Sequence, residues 1–146
     1  QAAIGCAQLK KLPSFIEKRR AHYDRLKAGL ASLSDRLDFS EPCENSRPSW
    51  FGFLMTCKLG VKREKVVRFI ESKGIQTRML FAGNIIKHPC FDNMRKSGEG
   101  FRVVGELTNT DRIMNDTFWV GVYPGMTDEM LDYMIEIIKK AVEAHE

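Results

Sequence analysis

The sequence predicts an α+β fold, a two-layer sandwich with a three-stranded, largely antiparallel sheet covered on one side by helices. Two observations predict it. Three short runs of apolar and aromatic residues have strand character, and the stretches around them carry apolar residues at helical spacing. The composition, 43% hydrophobic and 29% charged over 146 residues, is that of one domain able to bury a core.

The chain opens in helix. Ala3, Ile4, Ala7 and Leu12 lie near helical spacing with no capping residue before them, so the chain reads as beginning inside an element, as a cut end would. Pro13 fits a first helical turn and predicts a break between this short helix and a second over 13–33. Phe15, Ile16, Tyr23, Leu26, Leu30 and Leu33 give the second helix one apolar stripe, and Lys18-Arg19-Arg20 reads as part of its solvated face. Pro42, Asn45, Ser46 and Pro48 mark a loop before a first strand over 50–58.

Helical spacing returns over 62–73 through Val66, Phe69 and Ile70, closed by Gly74, and a second strand follows over 75–81. Residues 82–106 read as a long irregular excursion with room for one short helix. A third strand over 117–123 ends at Pro124-Gly125. Thr127 caps a final helix whose buried face is Leu131, Met134, Ile135, Ile138 and Val142, with Asp128 and Glu129 complementing its dipole.

Composition excludes several classes. No apolar run approaches the roughly 20 residues of a membrane helix, and no charged-then-apolar leader opens the sequence, so a cytoplasmic protein with no membrane partner is expected. The net charge of +4 arises from mixed basic and acidic residues and names no partner. Cys6, Cys43, Cys57 and Cys90 lie far apart without CxxC spacing, which predicts buried reduced thiols and no metal site. Phosphate-loop, hydrolase-elbow and zinc-protease signatures are absent, so no catalytic residue is assigned to this chain. Of the three histidines, only His88, beside Pro89, lies in the irregular excursion, and without a visible partner it reads as a surface residue.

Two segments have ligand-binding character. In Gln76-Thr77-Arg78-Met79-Leu80-Phe81-Ala82-Gly83-Asn84 a strand bearing a guanidinium runs into a small-residue turn ending in an amide. Arg78 can clamp an anion, Asn84 can donate and accept, and Ala82-Gly83 permits close backbone approach. The plain alternative is an edge-strand arginine and an ordinary turn. In Thr108-Asn109-Thr110-Asp111-Arg112-Ile113-Met114-Asn115-Asp116-Thr117 polar residues gather before the apolar Phe118-Trp119-Val120-Gly121-Val122-Tyr123, where a polar ligand can be held. A helix capped by Asn109 or Thr110 accounts for the same residues.

With those residues in view, the sequence resembles the DegT/DnrJ/EryC1/StrS-type sugar aminotransferases, pyridoxal-phosphate enzymes of fold type I. Gln1-Ala2-Ala3-Ile4-Gly5-Cys6-Ala7-Gln8-Leu9-Lys10-Lys11-Leu12 and Ile16-Glu17-Lys18-Arg19-Arg20 resemble the start of their C-terminal part. Residues 76–84 and 108–125 are similar to the CDP-4-keto-6-deoxyglucose 3-dehydrases of lipopolysaccharide O-antigen synthesis. The resemblance implies that residues 1–146 form a single small C-terminal domain, with the opening helices, 1–34, leading to an absent cofactor domain. It implies an enzyme that is complete only at full length. There pyridoxamine phosphate (PMP/PLP) forms an imine with the C4 ketone of a nucleotide sugar and acts as electron sink while the C3 hydroxyl leaves. A histidine replaces the Schiff-base lysine, and a [2Fe-2S] cluster relays electrons from an NADH-dependent iron-sulfur flavin reductase. A homodimer is implied as well, and no cofactor is expected in this chain alone.

Residue by residue, Arg112 resembles the small-domain arginine that faces substrate. Arg78, Phe81 and Asn84 fall where the sister aminotransferases place substrate-facing residues, after a strand start like Gly74-Ile75. Those aminotransferases commonly have glycine where Arg78 stands and histidine where Ile86 stands, which favours the dehydrase branch. An aminotransferase of the same fold is the alternative within the family. A stand-alone α+β nucleic-acid module is the alternative outside it, and it would require exposed aromatics on the sheet and a free basic helix.

Overall fold

The computed structural model describes residues 1–145. Its order is α1 (Ala2–Gly29), β1 (Leu37–Phe39), β2 (Gly52–Cys57), α2 (Arg63–Ser72), β3 (Thr77–Met79), α3 (Asp92–Ser97), α4 (Thr108–Asp116), β4 (Thr117–Gly121) and α5 (Asp128–Glu143). The class is α+β as predicted, but the sheet has four strands rather than three, in the order β1-β2-β4-β3, and every pair is antiparallel. The added strand is β1. Only Leu37 and Phe39 give it an apolar pattern, and its strand character comes from pairing Leu37 with Cys57 and Phe39 with Met55.

A second correction concerns Pro13. The helix runs through it without a break, so 2–29 is one element and not two. Proline inside a helix removes one ladder bond. Here the helix around it is solvent-exposed, so the carbonyl left over can bond to water, and the Ser14 hydroxyl donates to Lys11 O at 2.9 Å.

Alternation along β2 and β4 sends Phe53, Met55, Cys57, Phe118, Val120 and Val122 to one face, all buried. α1, α2 and α5 cover that face with Leu26, Leu30, Val66, Ile70, Leu131, Ile138 and Val142. Tyr23 sits between Trp50 and Phe53, with ring centroids 4.6 and 4.9 Å away, and its hydroxyl donates to Ser40 O. Thr127 caps α5 as predicted, its hydroxyl accepting from Met130 N.

The basic run on α1 is only partly a solvated face. Arg20 donates to the carbonyls of Pro48 and Arg47, and Arg19 donates to Ser49 Oγ, so the two arginines clamp the loop leading into β2. Arg25 reaches across to Asp128 and Asp132 of α5. The cysteines correct another expectation. All four are free thiols, but only Cys57 is buried, its pKa pushed up to about 11 by desolvation, while Cys6, Cys43 and Cys90 are exposed. Among the described residues no helix is long and apolar enough to cross a membrane, and no three His, Cys, Asp or Glu side chains gather as a metal site.

Candidate functional site

The opposite face of the sheet is left largely open. The residues alternating outward are Asp38 on β1, Leu54 and Thr56 on β2, Thr117 and Trp119 on β4, and Arg78 on β3. Register places Leu54, Trp119 and Arg78 side by side in one row across three strands. Trp119 is the centre of that row. Its indole N–H donates to Met79 O at 3.2 Å, and Phe51 meets it edge-on at 5.3 Å. The ring can lie against β2 because Gly52, two residues before its paired neighbour Leu54, has no side chain: a Cβ there would come within 2.6 Å of the indole.

Two hollows flank the indole. One, of about 460 Å3, runs from Trp119 and Arg78 to Tyr123, Met130 and Tyr133. The other, of about 220 Å3, is lined by Trp50, Phe51, Leu54, Leu80, Phe81 and Trp119. Neither is lined by a His, Asp, Glu, Lys or Cys side chain, and the groups facing them include an arginine, two tyrosines and apolar side chains, which suit binding.

The four predicted site residues fall into different situations. Arg78 is exposed at the edge of the row, and among the described residues its guanidinium makes no hydrogen bond or ion pair. Phe81 is 77% exposed and adopts φ +47°, the left-handed region that non-glycine residues rarely occupy. Asn84 is not presented outward. It is 2% exposed, and its side-chain amide donates to Asp111 Oδ1 at 2.7 Å. Arg112 lies on α4, donating to Asp38 at 2.6 Å while Lys58 reaches the same carboxylate at 3.1 Å.

The polar segment before β4 is therefore a helix, α4, which lies against β2 and β4, and neither Asn109 nor Thr110 caps it. Its Asp111 receives Lys87 Nζ at 2.7 Å as well as Asn84, and these two donors, the lysine foremost, hold its carboxyl below the ordinary carboxylate range. Lys58 and Arg112 lower the Asp38 carboxyl in the same way. Ala82-Gly83 does permit a close approach, but the approaching group is Met114 of α4: a Cβ on Gly83 would meet its side chain at 2.5 Å. His88 points its Nε2 at Ala82 O, bracing the same turn. Sequence reasoning missed Trp119 as an outward residue because a tryptophan inside an apolar strand reads as core. The signal available was its place two positions from Thr117 and Gly121 on the period-two pattern.

Residues 1–139 match the DegT/DnrJ/EryC1/StrS aminotransferase family. The chain belongs to that family. Among its members, the lipopolysaccharide biosynthesis protein RfbH of Salmonella typhimurium is 52% identical over 137 residues, which is 92% of this chain and 30% of RfbH. The dTDP-4-dehydro-2,6-dideoxy-D-glucose 3-dehydratase of Saccharopolyspora spinosa is 44% identical over 144 residues, 97% of this chain and 30% of that protein. The solved structure of the E. coli GDP-4-keto-6-deoxy-D-mannose-3-dehydratase with bound hydrated PLP superposes with a TM-score of 0.77 at 29% identity, covering 93% of this chain and 34% of the other. The chain thus spans about a third of the length of these family members. The outer sheet face, the 81–84 turn and α4 all lie within the matched residues.

Proposed function

We propose that this chain is the small domain of a PMP/PLP-dependent nucleotide-sugar 3-dehydrase of lipopolysaccharide deoxysugar synthesis, acting on a substrate of the CDP-4-keto-6-deoxyglucose type. The observation that carries the reading is the unpaired Arg78 guanidinium beside the open Trp119 row with Phe81 projecting next to it. A permanently charged fork next to an apolar aromatic surface suits a ligand that is anionic or oxygen-rich at one end and planar or apolar at the other, as a nucleotide sugar is. The 52% identity to a lipopolysaccharide biosynthesis protein and the 44% identity to a 3-dehydratase support the same assignment.

The donors lining the larger hollow are the Arg78 guanidinium, the Gln76 amide, the Tyr123 and Tyr133 hydroxyls and the indole N–H, and of these the indole is given to Met79 O and Tyr133 to Lys73 O. They do not make a cradle for a phosphate dianion. The cofactor is therefore assigned outside these residues, and no chemical step is routed through them. What this chain does is bind and orient: Arg78 and Phe81 meet substrate, and Arg112 meets it once its bond to Asp38 is given up. The homodimer, the cytoplasmic location, the [2Fe-2S] cluster and the NADH-dependent reductase belong to the same reading of the whole enzyme. The nucleic-acid alternative finds its exposed aromatics on this sheet, but two of the three cations in the basic run, Arg19 and Arg20, are spent on the 47–49 loop.

The test is turnover by the full-length protein supplied with PMP and CDP-4-keto-6-deoxyglucose, read by mass spectrometry. Loss of the C3 hydroxyl as water is the expected outcome. An aminated sugar would instead make the protein an aminotransferase of the same family. Arg78→Ala is expected to raise KM roughly 10- to 100-fold, the loss of one charged hydrogen-bonding contact. An unchanged KM would remove Arg78 from the binding face.

A further inference from the structure

Phe81 is held where a side chain is rarely found, in left-handed backbone with its ring in solvent. Such a conformation persists only when its surroundings over-determine it. Those surroundings converge on one carboxylate. Three residues after Phe81, the buried Asn84 amide donates to Asp111 Oδ1 at 2.7 Å, and three residues further on Lys87 Nζ donates to Oδ2 at 2.7 Å. Between them Gly83 lies against Met114, and Asn84 N–H donates to the Met114 sulfur at 3.4 Å. Asp111 and Met114 are three apart, on one side of α4. α4 is itself fixed at its C-terminal end by Arg63, whose Nη1 donates to Met114 O at 2.6 Å and to Thr117 O at 3.2 Å.

We propose that Asp111 is a positioning residue: through Asn84 and Lys87 it pins the 80–84 turn to α4, and so sets where Phe81 stands against the Trp119 row. The proposal rests on the reading of that row as the substrate face. A carboxylate with both oxygens engaged fixes orientation as well as distance, which a single neutral bond does not. The backbone around the turn supplies two short-range bonds, Phe81 N–H to Met79 O and Gly83 N–H to Leu80 O. Without the carboxylate, the left-handed Phe81 keeps only its own N–H bond to Met79 O, the His88 contact to Ala82 O and the Met114 contacts, and the wall of the smaller hollow that Phe81 and Leu80 provide is freer to shift.

The experiment is hydrogen exchange by mass spectrometry on the full-length protein, comparing Asp111→Asn, Asn84→Asp and the double exchange N84D/D111N, alongside steady-state kinetics. Each single variant weakens the anchor, Asp111→Asn by removing the charge that Asn84 and Lys87 share and Asn84→Asp by opposing two carboxylates. The double variant restores one hydrogen bond with donor and acceptor interchanged. Exchange over 80–88 at least 10-fold faster in the single variants, unchanged in β2 and β4, and slowed again in the double variant supports the proposal. Unchanged exchange over 80–88 in both single variants overturns it, whatever the activity. In the kinetics a raised KM with a nearly constant kcat is expected of the single variants, partly recovered in the double. Accelerated exchange with no change in KM would remove the turn from the substrate face while leaving the anchor in place, so the two readings fail separately.

Discussion

The two faces of the sheet are built from the same strands and obey opposite rules. The inner face is a continuous apolar layer in which Phe53, Met55, Phe118 and Val120 are entirely buried under three helices. The outer face carries an arginine that makes no hydrogen bond or ion pair among the described residues, a half-covered tryptophan and a phenylalanine in unfavourable backbone. Burial of a large side chain stabilises by about 1.5–3 kcal/mol, and the inner face accumulates that repeatedly. The outer face forgoes it. The outer face leaves large apolar groups and a cation exposed, so the difference separates what holds the domain from what the domain presents.

The sharpest way to break this comparison is to truncate neighbours that point in opposite directions. Phe53→Ala on the inner face is expected to cost about 3–5 kcal/mol, from lost burial and the cavity left behind. Leu54→Ala, adjacent in β2 but on the outer face and only partly buried, is expected to cost well under half of that. Urea denaturation of the two variants side by side checks it. Equal losses would mean that the outer face is covered more completely than its exposure indicates.

Gly52→Ala asks whether the outer face has a fixed shape. The new methyl would sit 2.6 Å from the indole, so either Trp119 moves or the strands part. A cost of about 1–3 kcal/mol is expected, together with a shift in tryptophan fluorescence that Phe53→Ala would not produce in the same way. Neighbouring strands make this close contact legible only in part. A glycine in a strand signals that something approaches, but what approaches lies 67 residues away in sequence.

That limit describes the whole chain. α2, α5, β2 and β4 were readable because each carries its own period, and the Thr127 cap is a local signal. β1 was not, because three residues cannot show a period and its identity depends on β2. The continuity of α1 through Pro13 was not, because proline's cost depends on whether water can reach the carbonyl it leaves unpaired. At the site, Arg78 and Phe81 are exposed. Asn84 turned inward because its partner, Asp111, is supplied by a helix beyond the irregular excursion. Local chemistry names a residue's capacity, and the tertiary partner decides how it is spent.

A smaller effect separates the aromatic layers. Tyr23→Phe keeps the ring stacked between Trp50 and Phe53 and removes only the hydroxyl's bond to Ser40 O. About 1 kcal/mol is expected, with the exposed face unaffected. The tyrosine's pKa is pushed up to about 12, first by burial and then by Glu41 and Asp24, so the phenol stays neutral across the working range and this cost does not vary with pH.

The smallest expected effect lies at the edge of the outer face and does vary with pH. Asp38 accepts from Lys58 and Arg112, and both lower its pKa beneath the ordinary 3.8. A carboxylate depressed in the folded state adds stability that is complete above the unfolded value and disappears as pH falls through the folded one. Stability is therefore expected to drop as pH falls below about 4, and Asp38→Asn to flatten that part of the profile without altering it near neutrality by more than about 1 kcal/mol. Chemical denaturation across that range, repeated at high salt, checks it, since all three side chains are partly exposed and salt screens such pairs. A profile unchanged by Asp38→Asn would show that the triad contributes nothing to the fold, and that Arg112 can leave Asp38 for an incoming anion at almost no cost.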